Sequence, residues 1–234
     1  MTRVSANYVV DKLLAKDQNV LILDTCCLLD IIRCIQRDNI SVLESAVSMI
    51  EHYNAGSNRF EIILPSLIVD EWNDNVETVK RETGKFIENC DSEQKRLTKV
   101  ANIFFKTHHR GFRAKGFDLD VKLSNLSSKF LDMGLCLEDI KECNLRAVNR
   151  VRLSTPPAKK AKDSLKDCII FEETLWISRS LREKGFQRKI VFSTSNITEY
   201  WEAKAVIPNI QNELDEYGIE ICKSLNHAYS LVKQ

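Results

Sequence analysis

Short, continuous apolar runs alternate along the chain with longer stretches in which apolar residues recur every three or four positions. NVLILD (Asn19–Asp24), FEIILP (Phe60–Pro65), KIVFSTS (Lys189–Ser195) and GIEIC (Gly218–Cys222) are of the first kind. Runs this short and this apolar predict strands buried on both faces, as in a parallel sheet. The intervening stretches predict amphipathic helices: Asn7–Ala15, CCLLDIIRCIQ, SVLESAVSMIEHY, Leu119–Met133, Leu137–Arg150 and DSLKDCIIFEETLWISRSLREKG. Another helix opens at Ser66, behind Pro65, and is expected to be interrupted at Gly84 and near Asp91. THHRGFRAKGFD reads as a loop, Thr155 to Pro157 break the chain, and Gly185 stops the long helix. ITEYWEAKAVIPNI begins a further helix, and Asn226–Lys233 closes the chain with a short one.

Strands separated by helices imply crossover connections and a sheet covered on both sides. The expected fold class is therefore α/β: three layers, α/β/α, around a central parallel sheet of about four strands. The helical block of about 80–155 is too long for one crossover and reads as an insertion packed on that core. At roughly 150 residues per domain, 234 residues make one domain, 1–234, that includes the insertion.

Composition narrows the class. A hydrophobic share of 44% beside 29% charged residues excludes wholesale disorder, and 7 Gly with 4 Pro are too few for a sandwich of many short strands. The sequence contains no apolar run of the ~18–20 residues that span a bilayer, and MTRVSANYVV lacks the features of a secretory signal. A cytoplasmic location without a membrane partner is expected. The eight cysteines form no CxxC pair, so buried reduced thiols are expected in place of disulfides or structural zinc.

Charge nearly cancels at +1 but is unevenly placed. Gln94–Phe117 carries +7 and Lys141–Lys166 carries +6, which leaves −12 for the rest of the chain. A polyanion on one surface and a cation on another would fit this polarity, as would ordinary solvated faces. Ligands of open parallel sheets bind beyond the carboxyl ends of the strands, and acids recur there. Asp24 and Thr25 end the first strand, Glu71 follows the second, and Thr194, Asn196 and Glu199 follow the third. Asp163 and Asp167 share one face at the start of the helix feeding that third strand. Each has an ordinary alternative: Asp24 and Asp163 as helix caps, Glu71 as a solvated carboxylate, Thr194 and Asn196 as turn residues. Carboxylates gathered at one edge repel unless a cation neutralises them, and hard oxygen donors suit Mg²⁺ or Mn²⁺.

LDTCCLLD (Leu23–Asp30), LPSLIVDEW (Leu64–Trp72), DSLKDCIIFEETL (Asp163–Leu175) and FSTSNITEYW (Phe192–Trp201) together resemble the four acidic stations of PIN (PilT N-terminal) domain nucleases. The likeness is greatest to large PIN-like proteins with a helical insertion, in which a basic stretch with paired prolines, here STPPAKKAKDSLKD, precedes the third station. The resemblance implies Asp24, Glu71 and Asp167 as catalytic metal-binding acids, with Asp163 and Glu199 as further metal ligands. Glu199 departs from the Asp found in many members at that station. Thr25, Thr194 and Asn196 would support the acids or touch phosphate. The implied activity is Mg²⁺- or Mn²⁺-dependent endonucleolytic hydrolysis of RNA, DNA being open, as in a toxin or defence effector. A catalytically inactive RNA- or protein-binding module is the alternative; a hydrolase of small phosphorylated compounds fits less well, for want of DxD after the first strand. Homodimerisation and control by an inhibitory or activating protein partner also belong to the resemblance.

Lys159, Lys160 and Lys162 lie just ahead of the third station, where they could clamp phosphates, and Arg110 and Arg113 flank Phe112 in a cationic loop that could bind an unpaired base. An exposed linker with incidental charge is the plain alternative for that loop. Its adjacent His108 and His109 point different ways on any regular element, which argues against a joint metal or acid–base role.

Overall fold

The computed structural model describes residues 2–57, 59–160 and 163–233. The chain opens with α1 (Ala6–Lys16), β1 (Asn19–Leu23), α2 (Thr25–Ile32), α3 (Ile40–Asn54) and β2 (Phe60–Leu64). There follow α4 (Ile68–Phe105), a 3-10 turn (Ala114–Phe117), α5 (Leu119–Met133), β3 (Leu135–Cys136), α6 (Lys141–Leu153) and α7 (Leu165–Glu183). The remainder is β4 (Ile190–Ser193), α8 (Ile197–Tyr200), β5 (Trp201–Glu202), β6 (Ala205–Val206), α9 (Pro208–Glu216), β7 (Ile219–Cys222) and α10 (Leu225–Val232).

The central sheet runs β3-β2-β1-β4-β7, parallel at every pairing. Val20–Leu23, Phe60–Leu64 and Ile190–Ser193 are buried without interruption, as strands covered on both faces must be. One helical layer gathers α10 on β4 and α3, α3 on α5, and α2 on α4 and α5; the other is α7 with α6 and α1 packed on it. The α/β/α expectation thus holds, with five strands in the sheet among the described residues in place of about four. The additional strand, β3, lies inside the block read as a helical insertion and pairs Ile63 with Leu135 and Leu64 with Cys136. Gly134 makes that approach feasible, since a Cβ there would stand 2.7 Å from the side chain of Leu64. None of the helices described is long and apolar enough to cross a membrane.

Two helical expectations need correction. First, α4 passes through Gly84 and Asp91 without a break. Val76, Val79, Thr83 and Ile87 recur at helical spacing on its buried face. Packing that face on α2 and α5 outweighs the ~1 kcal/mol that a mid-helix glycine costs. Gly84→Ala is therefore expected to stabilise the fold by about 0.5–1 kcal/mol, about 2 °C in Tm, because the added methyl meets only the end of the Asp120 side chain at 3.4 Å. Thermal melting checks this; a lower Tm would show that α4 and α5 need the bare Cα. Second, ITEYWEAKAVIPNI gives one helical turn, α8, and then the antiparallel pair β5–β6. Ala203 and Lys204, both at positive φ (45° and 74°), turn the chain there, and the helix resumes only at Pro208.

Cys27, Cys34, Cys136, Cys143, Cys168 and Cys222 are buried, as expected of thiols amid apolar neighbours. Cys26 is partly buried and Cys90 is exposed.

Candidate active site at the carboxyl edge of the sheet

From β1 the chain moves outward to β2 and β3 on one side, then returns to build β4 and β7 on the other. The order reverses between β1 and β4, and a crevice opens beyond the carboxyl ends of strands that diverge in this way. Asp24 and Thr194 immediately follow those two strands. The amide of Asp24 donates to the Ser193 carbonyl at 3.0 Å and that of Thr194 to the Cys222 carbonyl at 3.0 Å, so the ladder itself delivers both side chains to the crevice.

Asp24 occupies the capping position of α2, yet its side chain makes no capping hydrogen bond. Its Oδ2 accepts instead from Thr194 Oγ1 at 2.6 Å and from Cys26 Sγ at 3.1 Å. Thr194 Oγ1 in turn accepts the amide of Asn196 at 3.1 Å, and Asn196 Nδ2 donates to Asp167 Oδ1 at 2.9 Å. A continuous path thus joins Asp24, Thr194, Asn196 and Asp167. Asp167 lies in the first turn of α7, which Tyr200 pins by donating its hydroxyl to the Asp167 carbonyl at 3.3 Å. Tyr200 is fully buried, edge-on to Phe171, Phe192 and Trp201, so its position is fixed by packing.

Glu71 enters from the first turn of α4. Its Oε2 accepts from Thr25 Oγ1 at 2.8 Å, and its Oε1 stands 3.5 Å from Lys166 Nζ. Burial pushes the Asp24 carboxyl above its ordinary range and the nearby Glu71 carboxylate adds to this, against the opposing pull of the Thr194 and Cys26 hydrogen bonds. Asp24 takes part in none of the ion pairs found among the described residues.

The remaining expected residues stand differently. Asp163 is exposed and its Oδ1 accepts the Leu165 amide at 3.4 Å, the local role at a helix start that the sequence left open. Glu199 is buried and accepts a hydrogen bond from Thr198 Oγ1. Lys159 and Lys160 are exposed, and the Lys159 amide donates to Ser164 Oγ at 3.3 Å, which ties the basic stretch to the start of α7. Lys162 lies outside the described residues. Sequence reasoning missed Cys26 and Lys166. Burial holds the Cys26 thiol protonated, so it serves as a donor to Asp24 while its sulfur accepts the Ser195 amide at 3.0 Å. Only the position of Cys26, two residues beyond Asp24, hinted at this.

Among the described residues, no three His, Cys, Asp or Glu side chains form a metal-binding group as they stand. The donor chemistry nevertheless fits a hard divalent cation. Asp24 is a buried carboxylate raised by a second carboxylate, with hydroxyl and thiol donors on Oδ2, and a cation beside it would relieve the repulsion.

Behind the site, Glu173 of α7 fixes the turn that launches α4. Its Oε2 accepts the Ser66 amide and its Oε1 the Ser66 hydroxyl, each at 2.7 Å, and it is fully buried. Burial, with a smaller contribution from Asp139, pushes this carboxyl up from 4.5 to about 7. The fold then favours the protonated form. The stability this group confers is fully present below about pH 4.5 and is lost as pH rises through about 7, roughly 3 kcal/mol in all. Glu173→Gln keeps an acceptor and a donor for Ser66 without the titration. Urea unfolding at pH 5 and pH 8 should therefore show a loss in the parent protein that the variant lacks; equal losses would contradict this.

Compared with family models, curated proteins and solved structures, the chain matches none.

Proposed function

We propose that this protein is a metal-dependent endonuclease of PIN type that hydrolyses RNA. The observation that carries the reading is the path Asp24–Thr194–Asn196–Asp167, with Glu71 beside Asp24, at the point where strand order reverses. Acids supplied by three separate elements and oriented by hydroxyl and amide groups have the character of a functional site, and buried Asp24 takes part in none of the ion pairs found among the described residues, where a structural carboxylate is ordinarily paired.

Asp24 and Glu71 would hold a Mg²⁺ or Mn²⁺ ion, with Asp167 as the third acid. Such an ion supplies a bound water of lowered pKa and positive charge for the leaving oxygen. Thr194 and Cys26 fix the Asp24 carboxylate, Thr25 fixes that of Glu71, and Asn196 fixes that of Asp167. Lys159 and Lys160 supply exposed positive charge beside α7 for a phosphate backbone. The ion pair of Lys166 with Glu71 favours a second reading, in which the edge binds RNA without cutting it.

Incubation of the full chain with labelled single-stranded RNA, structured RNA and DNA, in Mn²⁺, Mg²⁺ or EDTA, separates the two. Cleavage of RNA in either ion and none in EDTA is the expected result. RNA bound but left intact under every condition would overturn the nuclease reading in favour of the binding module.

A further inference from the structure

The distal half of α4 and the segment that follows it enclose a groove of about 1200 Å³. The segment is held, not loose. Asn102 donates to the His109 carbonyl and accepts its amide, both at 3.0 Å, and also accepts from the Thr107 hydroxyl at 2.8 Å. At the far end, Asp91 accepts the amides of Ala114 and Lys115 at 2.8 and 2.9 Å, which keeps its carboxyl below the ordinary range. The groove's two acids are thereby engaged, Asp91 by these amides and Glu88 by Lys115 at 2.5 Å. Lys95, Lys99, Arg110 and Arg113 also line it, and none of them takes part in the ion pairs found among the described residues. At its rim Phe112 lies nearly flat on Phe117, with ring centroids 5.3 Å apart and planes inclined by 17°, both rings substantially exposed.

Cations outside the ion pairs found among the described residues, beside an exposed aromatic platform, match the two needs of a single strand: phosphate neutralisation and a surface on which bases stack. A protein partner of acidic character would use the cations but not the platform. We propose that this groove is a second nucleic-acid site that holds unpaired strand at a distance from the carboxylate edge. At 1.5 Å per residue, Lys95 stands about 36 Å along α4 from Glu71, the span of about ten nucleotides stacked at about 3.4 Å each and of fewer in an extended strand. This deepens the nuclease reading by making binding and cleavage depend on substrate length, and rests on it only for the role of the carboxylate edge.

The test is fluorescence anisotropy in EDTA with single-stranded RNA probes of about 5 and about 20 nucleotides, using the full chain and two variants, Lys99→Gln/Arg110→Gln and Phe112→Ala. All three substitutions are at the surface, and unchanged melting temperatures confirm folding. The long probe is expected to bind at least about tenfold more tightly than the short one, and each variant to lose about tenfold on the long probe. The double variant should also lower the slope of log K against log salt by about 1.4, two phosphates at about 0.7 each. Long-probe affinity and salt slope unchanged in the double variant would overturn the proposal and leave the groove to an acidic protein. Cleavage is scored separately: metal-dependent cutting with the groove variants binding normally sinks the groove alone, whereas weakened binding without any cutting sinks the nuclease reading alone.

Discussion

Asp24→Asn is expected to abolish cleavage, by about 10³-fold or more, with the fold intact and RNA affinity in EDTA unchanged. Supporting groups around a metal site typically contribute 10- to 100-fold and single transition-state contacts 10²- to 10³-fold, so an acid that itself holds the ion should cost at least as much as the larger of these. The substitution keeps shape and an acceptor for Thr194 and Cys26 while it removes the charge. That charge is the one burial and Glu71 disfavour, so its loss should leave the ion-free protein as stable as before or more so. Activity and stability therefore move apart, which a structural carboxylate would not show. Single-turnover cleavage and urea unfolding on the same preparation check both. Retained activity would remove Asp24 from the chemistry.

Arg150→Met should be the most destabilising substitution considered, at about 3–5 kcal/mol. Arg150 is 8% exposed and joins three helices: its Nε donates to Glu172 of α7, its Nη1 and Nη2 to Glu213 of α9, and Nη1 also to the Pro156 carbonyl at 2.5 Å. Its guanidinium lies 4.9 Å from the centre of the Phe171 ring. Removing it strands the Glu172 carboxylate, itself 4% exposed, without a partner. Arg150→Met/Glu172→Leu removes that stranded charge and should recover most of the loss, because an apolar replacement of a buried pair is often near neutral. Urea unfolding of the single and double variants measures this; a single-variant loss below about 1 kcal/mol would contradict it.

Arg150 also shows where sequence reasoning reached its limit. In the sequence it counts toward the +6 of Lys141–Lys166, a surface for polyanions, whereas in the fold it is consumed by two glutamates 22 and 63 positions away. Net charge by segment cannot tell a solvated arginine from a buried one. The framework was far more legible. Asp24 was found because a continuous apolar run ends in one acid, and Thr194 and Glu71 because strand ends define an edge. What joined them was not visible. Asn196 meets Asp167 across 29 residues through one amide, and no periodicity marks such a contact. The edge strand β3 was missed because two paired residues are too few to show a period, and because the glycine before it, usually a sign of a turn, here clears space for Leu64.

The nuclease proposal requires a divalent ion on Asp24 at the carboxyl edge, which anomalous diffraction from crystals soaked in Mn²⁺ would reveal. A peak roughly 2.1 Å from an Asp24 oxygen, on the side facing Glu71 and Asp167, is the expected result. Mn²⁺ bound elsewhere, with none at Asp24, at a concentration that supports RNA cleavage in solution, would contradict it.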